Sequence, residues 1–503
     1  MKGLTKLVYP FFKMRQKEIA RYGNEADTIQ QNQLDTLLDT ASDTYWGNMY
    51  HFSSISNYRT FAERIPLQTY ESIKPYISRM IAGERNVLWP SSVKWFAKSS
   101  GTTDDKSKFI PVTSHILNNS HYKGGFDSVA LYLKSKPDSN FFSHKSFILG
   151  GSHAPSAINS QVNCGDLSAV LLQNINPLTN LVRTPDKRII LMDEWESKIK
   201  AIVGNIKHKD VGNISGIPSW MLVLIKEVLR VTGKDILTDV WPNLEVFFHG
   251  GVSFEPYKTQ YDAIIPPGKV NYMETYNASE GFFGIQDDLN DRSMLLMIDY
   301  QTFFEFIPMR DFNTSDPTTI PLSDVKIGEN YAIVISTSGG LWRYIIGDTI
   351  KFTSLFPHKF IITGRTKSYI NAFGEELMVD NAEKAIATAS KLTNSVVKEY
   401  TAAPQFLTDS GTGRHQWVIE FEKAPDSIKT FADALDDTLQ DLNSDYEAKR
   451  YKSITLLPLQ VISARKNLFY DWLKKENKLG GQHKILRLSN QRDFIEELMA
   501  MNE

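Results

Sequence analysis

Cysteine is all but missing from this chain: Cys164 is the single one among 503 residues. One thiol excludes an internal disulfide and a cysteine-built zinc site. It suits a reducing compartment, so the chain is expected in the cytoplasm. The thiol itself reads as a small buried hydrophobe rather than a nucleophile. An excess of charge of either sign is missing too. Charged residues make up 23% and the net charge is −2. No broad basic surface is available for the phosphate-dominated binding of nucleic acid, whereas a nucleotide such as ATP needs only a local pocket. Long apolar runs are missing as well. The opening MKGLTKLVYPFFKMRQKE has a short apolar stretch, broken by Pro10, followed by Lys13, Arg15 and Lys17, and without a small-residue cleavage site. The most apolar helical segment, PSWMLVLIKEVLRV, carries Lys226, Glu227 and Arg230 and is too short to span a bilayer. No membrane association is expected. Internal repeats, low-complexity tracts and a GxxxxGK[ST] phosphate loop do not occur, and the last absence argues against a P-loop NTPase.

What is there is an ordinary globular composition, 42% hydrophobic, in a chain too long for one ordinary core. Residues 14–40 are rich in helix formers, with apolar spacing that sharpens near Leu34, Leu37 and Leu38. KSFILGG (145–151), RIILM (188–192), NLEVFFHGG (243–251), SMLLMIDY (293–300) and NYAIVIST (330–337) have the pattern of buried strands, several running into glycine or polar residues. Helical stretches at 193–204 and 218–232 alternate with them, which predicts a mixed α/β architecture. The boundary falls near GRTKSYINAFG (364–374). Beyond it VDNAEKAIATASKL and SIKTFADALDDTLQDLNSDYEAKRY are helical and RHQWVIEFE is a strand. The expected division is therefore a large domain at 1–366 and a small α+β domain at 367–503.

Five short stretches carry chemistry. KSSGTTDDKSKFIP (98–111) gathers Ser99, Ser100, Gly101, Thr102 and Thr103 ahead of Lys108. Backbone N–H groups, hydroxyls and an ammonium together hold phosphate oxygens, though a polar surface turn uses the same residues. FFHGGVSFEPY places Gly250 and Gly251 after a strand, where backbone can approach a flat ligand or simply turn. METYNASEGFFG sets Ser279 and Glu280 three and four residues after Tyr276. A carboxylate beside phosphates suits Mg²⁺, which takes few carboxylates and several phosphate or water oxygens; a capping acid is the plain alternative. GGLWRYIIGDTIKF holds Asp348 after Gly347. Its carboxylate can accept from two ribose hydroxyls, or it can sit in a hairpin turn. LGGQHKILRLSN places Lys484 after a glycine pair, able to reach a site from a second domain or to remain on the surface.

The order of these stretches resembles the adenylate-forming superfamily of acyl-CoA synthetases, luciferases and nonribosomal adenylation domains. Within it the S-S-G-T-T…K-x-I-P, Y-x-A-S-E, Y-x-x-G-D and G-G-Q-x-K forms are most similar to the GH3 family of acyl acid–amido synthetases, known from plant auxin and jasmonate conjugation and found also in bacteria. The resemblance spans essentially the whole chain. It implies the adenylate-forming fold: a large N-terminal mixed α/β domain with sheets flanked by helices, and a small, mobile α+β C-terminal domain. By position, Ser99, Ser100, Gly101, Thr102, Thr103 and Lys108 would hold phosphates of ATP, and Gly250 and Gly251 would lie against adenine. Thr275, Tyr276, Asn277, Ala278 and Ser279 would form the second nucleotide motif, with Glu280 as the Mg²⁺ ligand. Tyr344 and Asp348 would form the third, with Asp348 on the ribose. Arg365 and Lys367 would mark the hinge, and Lys484 would contact the α-phosphate.

Some positions depart from the pattern. Asp104 and Asp105 stand where many relatives carry Gly or Ser, and acids beside a triphosphate repel it. The loop is one residue longer than in acyl-CoA synthetases, which favours Lys108 over Lys106. Arg343 precedes Tyr344 and could meet a phosphate or a structural carboxylate. Asn371 falls where some relatives place a lysine used in their second half-reaction, which argues against thioester formation. The implied reaction joins a carboxylic acid to an amine, expectedly an amino acid, through an acyl-adenylate, in a monomer. No amine base is evident; His121 and His153 qualify by residue type alone. Three other readings compete. An acyl-CoA ligase shares the first step and differs in its acceptor. A non-catalytic ATP-binding homologue would have no need of Glu280, Asp348 and Lys484 together. A hydrolase built on Ser152 in GGSHA has its HGGV motif after the serine and lacks the final glycine of a nucleophile elbow. The acyl pocket is expected within 110–280, where Tyr122, Phe126, Tyr132 and Trp220 could equally be core.

Overall fold

The computed structural model describes residues 4–99, 108–151, 153–156, 159–192, 195–251, 254–312, 314, 316–366, 368–370, 372–373, 375, 377–406, 413–450, 456–476, 478–479 and 485–502. The chain divides into two compact units. One comprises 1–252, 262–346 and 350–361; the other comprises 253–261, 347–349 and 362–503.

The large unit opens with two helices, Leu4–Ile19 and Tyr22–Ala41, so the helical opening foreseen over 14–40 begins earlier and is broken at Ala20 and Arg21. The first helix is pinned by a buried arginine. Arg15 donates to both carboxylate oxygens of Asp127 and to both of Asp299. Tyr22 and Tyr300 donate to the same two carboxylates, and Lys123 Nζ lies 3.2 Å from Asp299, so two cations face the two carboxylates.

Among the described residues the main sheet has twelve strands. From one edge they are Ile320–Pro321, Thr302–Pro308, Asn330–Thr337, Tyr344–Leu355, His358–Arg365, Met294–Leu296, Gly281–Gln286, Asn271–Ala278, Val246–His249, Val211–Gly216, Lys145–Ile148 and Arg183–Thr184. The strands from Asn271 back to Lys145 pair in parallel, and those on the Gly281 side pair antiparallel. The parallel strands read as apolar runs because neighbouring elements cover both faces. Val246, Phe247, Phe248 and His249 are all buried. The helix Pro218–Thr232 starts with proline in its first turn and stops at Gly233, whose φ of 64° closes the C-terminus. Its buried Met221, Leu224, Ile225 and Val228 each contribute about 1.5–3 kcal/mol of burial.

Two strand expectations change. RIILM forms no strand: Lys187–Ile190 is a helical turn whose start is capped by Asp186 accepting from Arg188 N at 2.9 Å. A short apolar run does not by itself distinguish strand from helix, and here the cap decides. SMLLMIDY keeps only Met294–Leu296 as strand, because Asp299 and Tyr300 turn away into the Arg15 cluster.

In the small unit the helices Val379–Leu392 and Ile428–Leu442 pack with strands Val396–Phe406, Gly413–Lys423 and Gln460–Ala464 around Ile386, Tyr400, Trp417, Phe431 and Leu435. The long helix expected from Ser427 to Tyr451 is split. Asn443 adopts an extended conformation and its Oδ1 accepts from Tyr446 N, starting a second helix at Ser444–Arg450. Among the described residues, no helix is long and apolar enough to cross a membrane.

Candidate active site

Ser99 and Lys108 of the first motif end a pair of strands in the large unit. Trp95–Ser99 pairs antiparallel with Lys108–Val112, and Ser99 stands opposite Lys108. Phe96 and Ala97 point to opposite faces of this pair and both are buried, as is Ile110, so the pair is covered on both sides. Lys108 Nζ sits 5.7 Å from the centre of the Tyr70 ring, whose hydroxyl accepts from Phe109 N at 2.8 Å. Ser100, Gly101, Thr102, Thr103, Asp104 and Asp105 lie outside the described residues, as does Ser152 of the hydrolase reading.

The glycine pair at 250–251 and the second motif are brought together by strand pairing. Val246–His249 runs parallel to Asn271–Ala278, with His249 opposite Glu274. Just beyond it, a Cβ on Gly250 would stand 2.1 Å from the Thr275 carbonyl oxygen, so only glycine fits the crossing. Gly251 follows at φ 83°, and Thr275 Oγ1 donates to the His249 carbonyl at 3.2 Å. The double glycine thus serves both a close approach and a turn. Asn271–Ala278 then folds back into Gly281–Gln286, with Ala278 opposite Gly281. Ser279 and Glu280 are the two-residue turn, and both are buried. Tyr276 packs edge-on against Phe283 at 5.3 Å and Phe360 at 6.2 Å.

Asn277 has a partner that sequence did not reveal. His121 Nδ1 lies 2.8 Å from Asn277 Oδ1. Burial pushes the His121 pKa down to about 4. Its neighbour Ser120 accepts from Phe282 N at 2.9 Å on the other strand of the hairpin. The two residues lie 156 positions from Asn277 and 162 from Phe282, so local pattern carries no trace of either contact. His249 is likewise buried, and desolvation holds its pKa down at about 3. His153 falls in the short strand His153–Pro155.

Arg343 is a structural residue. Its Nε donates to both oxygens of Glu305, one amino group to the carbonyls of Ala62 and Ile65, and the other to Thr319 Oγ1. That fixes the start of the next strand, where Tyr344 is fully buried.

In the small unit, Asp348 is not a hairpin-turn residue: it lies within the strand Tyr344–Leu355, after Gly347 at φ 92°. Arg365 Nε donates to Asp348 Oδ1 at 2.9 Å, and Thr366 N donates to the Gly347 carbonyl at 2.8 Å. Asp348 and Arg365, assigned to separate motifs by sequence, are therefore neighbours. Lys367, Asn371 and Lys484 lie outside the described residues. Among the described residues no cluster of three or more His, Cys, Asp or Glu side chains could hold a metal. The single carboxylate of Glu280 fits an ion that draws most of its oxygens from phosphate and water.

Solved structures place this architecture. It matches 2-hydroxyisobutyryl-CoA ligase in its postadenylation state with a TM-score of 0.59 at 11% identity, over 94% of this chain and 91% of that one. The fold is that of the adenylate-forming enzymes. More narrowly, residues 15–270 match the GH3 family N-terminal domain, 295–365 its central domain and 380–493 its C-terminal domain. The chain belongs to the GH3 family. It is 23% identical to the indole-3-acetic acid-amido synthetase GH3.4 of Arabidopsis thaliana, over 88% of this chain and 86% of that protein. It is 22% identical to the 4-substituted benzoates-glutamate ligase GH3.12 of the same plant, over 94% of each. The solved GH3.15 acyl acid amido synthetase bound to 2,4-DB superposes with a TM-score of 0.78 at 18% identity, over 97% of this chain and 96% of that one.

Proposed function

We propose that this chain is an ATP-dependent acyl acid–amido synthetase. A carboxylate oxygen attacks the α-phosphorus of ATP and pyrophosphate leaves. An amine, in this reading an amino acid, then attacks the carbonyl carbon of the acyl-adenylate, loses a proton and expels AMP. One observation carries the reading: in a GH3-family chain, residues Thr275–Glu280 form one strand and its turn, with Gly250 against their backbone.

In this reading Ser99 to Thr103 and Lys108 hold the β- and γ-phosphates. Gly250, Gly251 and Tyr276 flank the adenine, Asp348 takes the ribose hydroxyls, and Arg365 orients Asp348. Glu280 would hold Mg²⁺, which would neutralise charge on the phosphates. Lys484 would approach the α-phosphate as the part of the chain beyond Lys367 swings, and that movement would shield the intermediate from water. The working form is proposed to be a cytoplasmic monomer.

ATP–pyrophosphate exchange with Mg²⁺ and a panel of carboxylic acids tests this directly. Acid-dependent exchange in the parent, reduced about 10²–10³-fold in Glu280→Ala and Lys484→Ala, is the expected result. Adding amino acids or coenzyme A as alternative acceptors then separates amide from thioester formation. ATP binding without exchange for any acid would leave a nucleotide binder, and the synthetase reading would fall.

A further inference from the structure

The helix that opens at Ser114–Ile116 is interrupted by a π turn, Leu117–Tyr122, before it continues as Lys123–Ser135. A π turn inserts one residue, weakens the local hydrogen-bond ladder and re-aims the side chains around it, so it persists where that aim matters. Here the two re-aimed side chains are Ser120 and His121, and both engage the hairpin that carries Tyr276 to Glu280.

The His121–Asn277 contact admits two proton arrangements. In the first, Nδ1–H donates to Asn277 Oδ1, Nε2 is a bare acceptor, and the Asn277 Nδ2 hydrogens point away from the ring. In the second, the proton sits on Nε2, the amide is flipped, and Nδ2 donates to Nδ1. His121 is 3% exposed, and among the described residues its Nε2 has no hydrogen-bond partner. The second arrangement therefore buries an orphaned N–H donor, which is rarer and costlier than an unused acceptor. The first is favoured, and the low pKa keeps the ring neutral through neutral pH. Asn277 itself is only half-buried, and among the described residues its Nδ2 has no partner.

We propose that His121 is a positioning residue that locks the Asn277 amide, presenting its Nδ2 hydrogens to an acceptor oxygen of the molecules activated at this motif. The inference rests on the acid-activating function proposed above. An oxygen of the acid's carboxylate and an oxygen of the nucleotide share this chemistry. A role for His121 as the amine's base is disfavoured, because a group with a pKa near 4 is a weak proton acceptor at neutral pH.

The test uses the full-length chain labelled with ¹⁵N-histidine, with the His121→Asn variant assigning the resonance. The expected tautomer carries its proton on Nδ1, with Nε2 bare and no titration through neutral pH. His121→Phe, which removes the donor at similar bulk, is then compared with His121→Asn, which keeps an N–H near the Nδ1 position. The phenylalanine variant is expected to lose roughly five- to tenfold in Mg·ATP affinity or in the acid concentration needed for half-maximal exchange, and the asparagine variant to recover most of it. A loss in Mg·ATP affinity without acid assigns the oxygen to the nucleotide; a loss confined to the acid dependence assigns it to the acid. A proton on Nε2 overturns the proposal, as does a folded His121→Phe variant with both values intact. If the phenylalanine variant does not fold, the tautomer decides. Should the parent show no acid-dependent exchange, the synthetase reading fails, while the tautomer and the Mg·ATP affinities still judge the lock.

Discussion

Two arginine–carboxylate pairs lie close together in the sequence and in very different surroundings. Arg343 is 6% exposed, and its donors meet Glu305, Ala62, Ile65 and Thr319. Arg365 is 34% exposed and donates to Asp348 beside a glycine of positive φ. The first pair ties four separate segments of the large unit and has no donor left to offer a ligand. The second keeps a charged edge within reach of solvent. The residue types are alike, so burial is what separates a scaffold pair from one that a ligand could reach.

The largest effect expected from breaking this contrast is on Arg343. Arg343→Met leaves Glu305 charged and sealed, and should cost about 3–5 kcal/mol, read as a lower urea midpoint. Arg365→Met should change the same midpoint by no more than about 1 kcal/mol. Equal losses would erase the distinction.

Buried histidines sharpen it next. His121 and His249 have folded pKa values of about 4 and about 3, below the ordinary 6.5. The unfolded chain therefore takes up protons first as pH falls. Their share of stability is intact above pH 6.5 and is lost toward pH 4, by about 1.4 kcal/mol per pH unit for each ring. Urea midpoints at neutral and mildly acidic pH should show the decline, and His121→Asn should flatten part of it. A level profile over that window would mean that neither ring is sealed.

On the open pair the effect moves from stability to binding. Asp348→Asn should weaken Mg·ATP binding roughly tenfold in calorimetry, with the melting temperature nearly unchanged. Least of all should follow from Arg310, which is 64% exposed and 3.5 Å from Glu329. Arg310→Ala should shift the urea midpoint by less than about 0.5 kcal/mol.

Sequence made the strands at 246–249 and 330–337 legible because both faces are covered and 246–248 and 331–335 are unbroken apolar runs. Its glycine pair marked 250–251 as a close backbone approach or a turn, and both are found, whereas the hairpin turn at Ser279–Glu280 had no signal of its own. Sequence could not rank Arg343, because its carboxylate stands 38 residues away. The His121–Asn277 contact was hidden for the same reason: nothing in one strand announces which helix will face it. RIILM failed in the opposite sense. Its apolar run suits a strand, and a single capping aspartate turned it into a helical turn.

The crossing at Gly250 also has a genealogical meaning. With 2.1 Å between a would-be Cβ and the Thr275 carbonyl oxygen, no accommodation by a flexible side chain is open to this position. A chain carrying any other residue there must have rebuilt the crossing itself, so that one position serves as a marker of whether two chains share this backbone path.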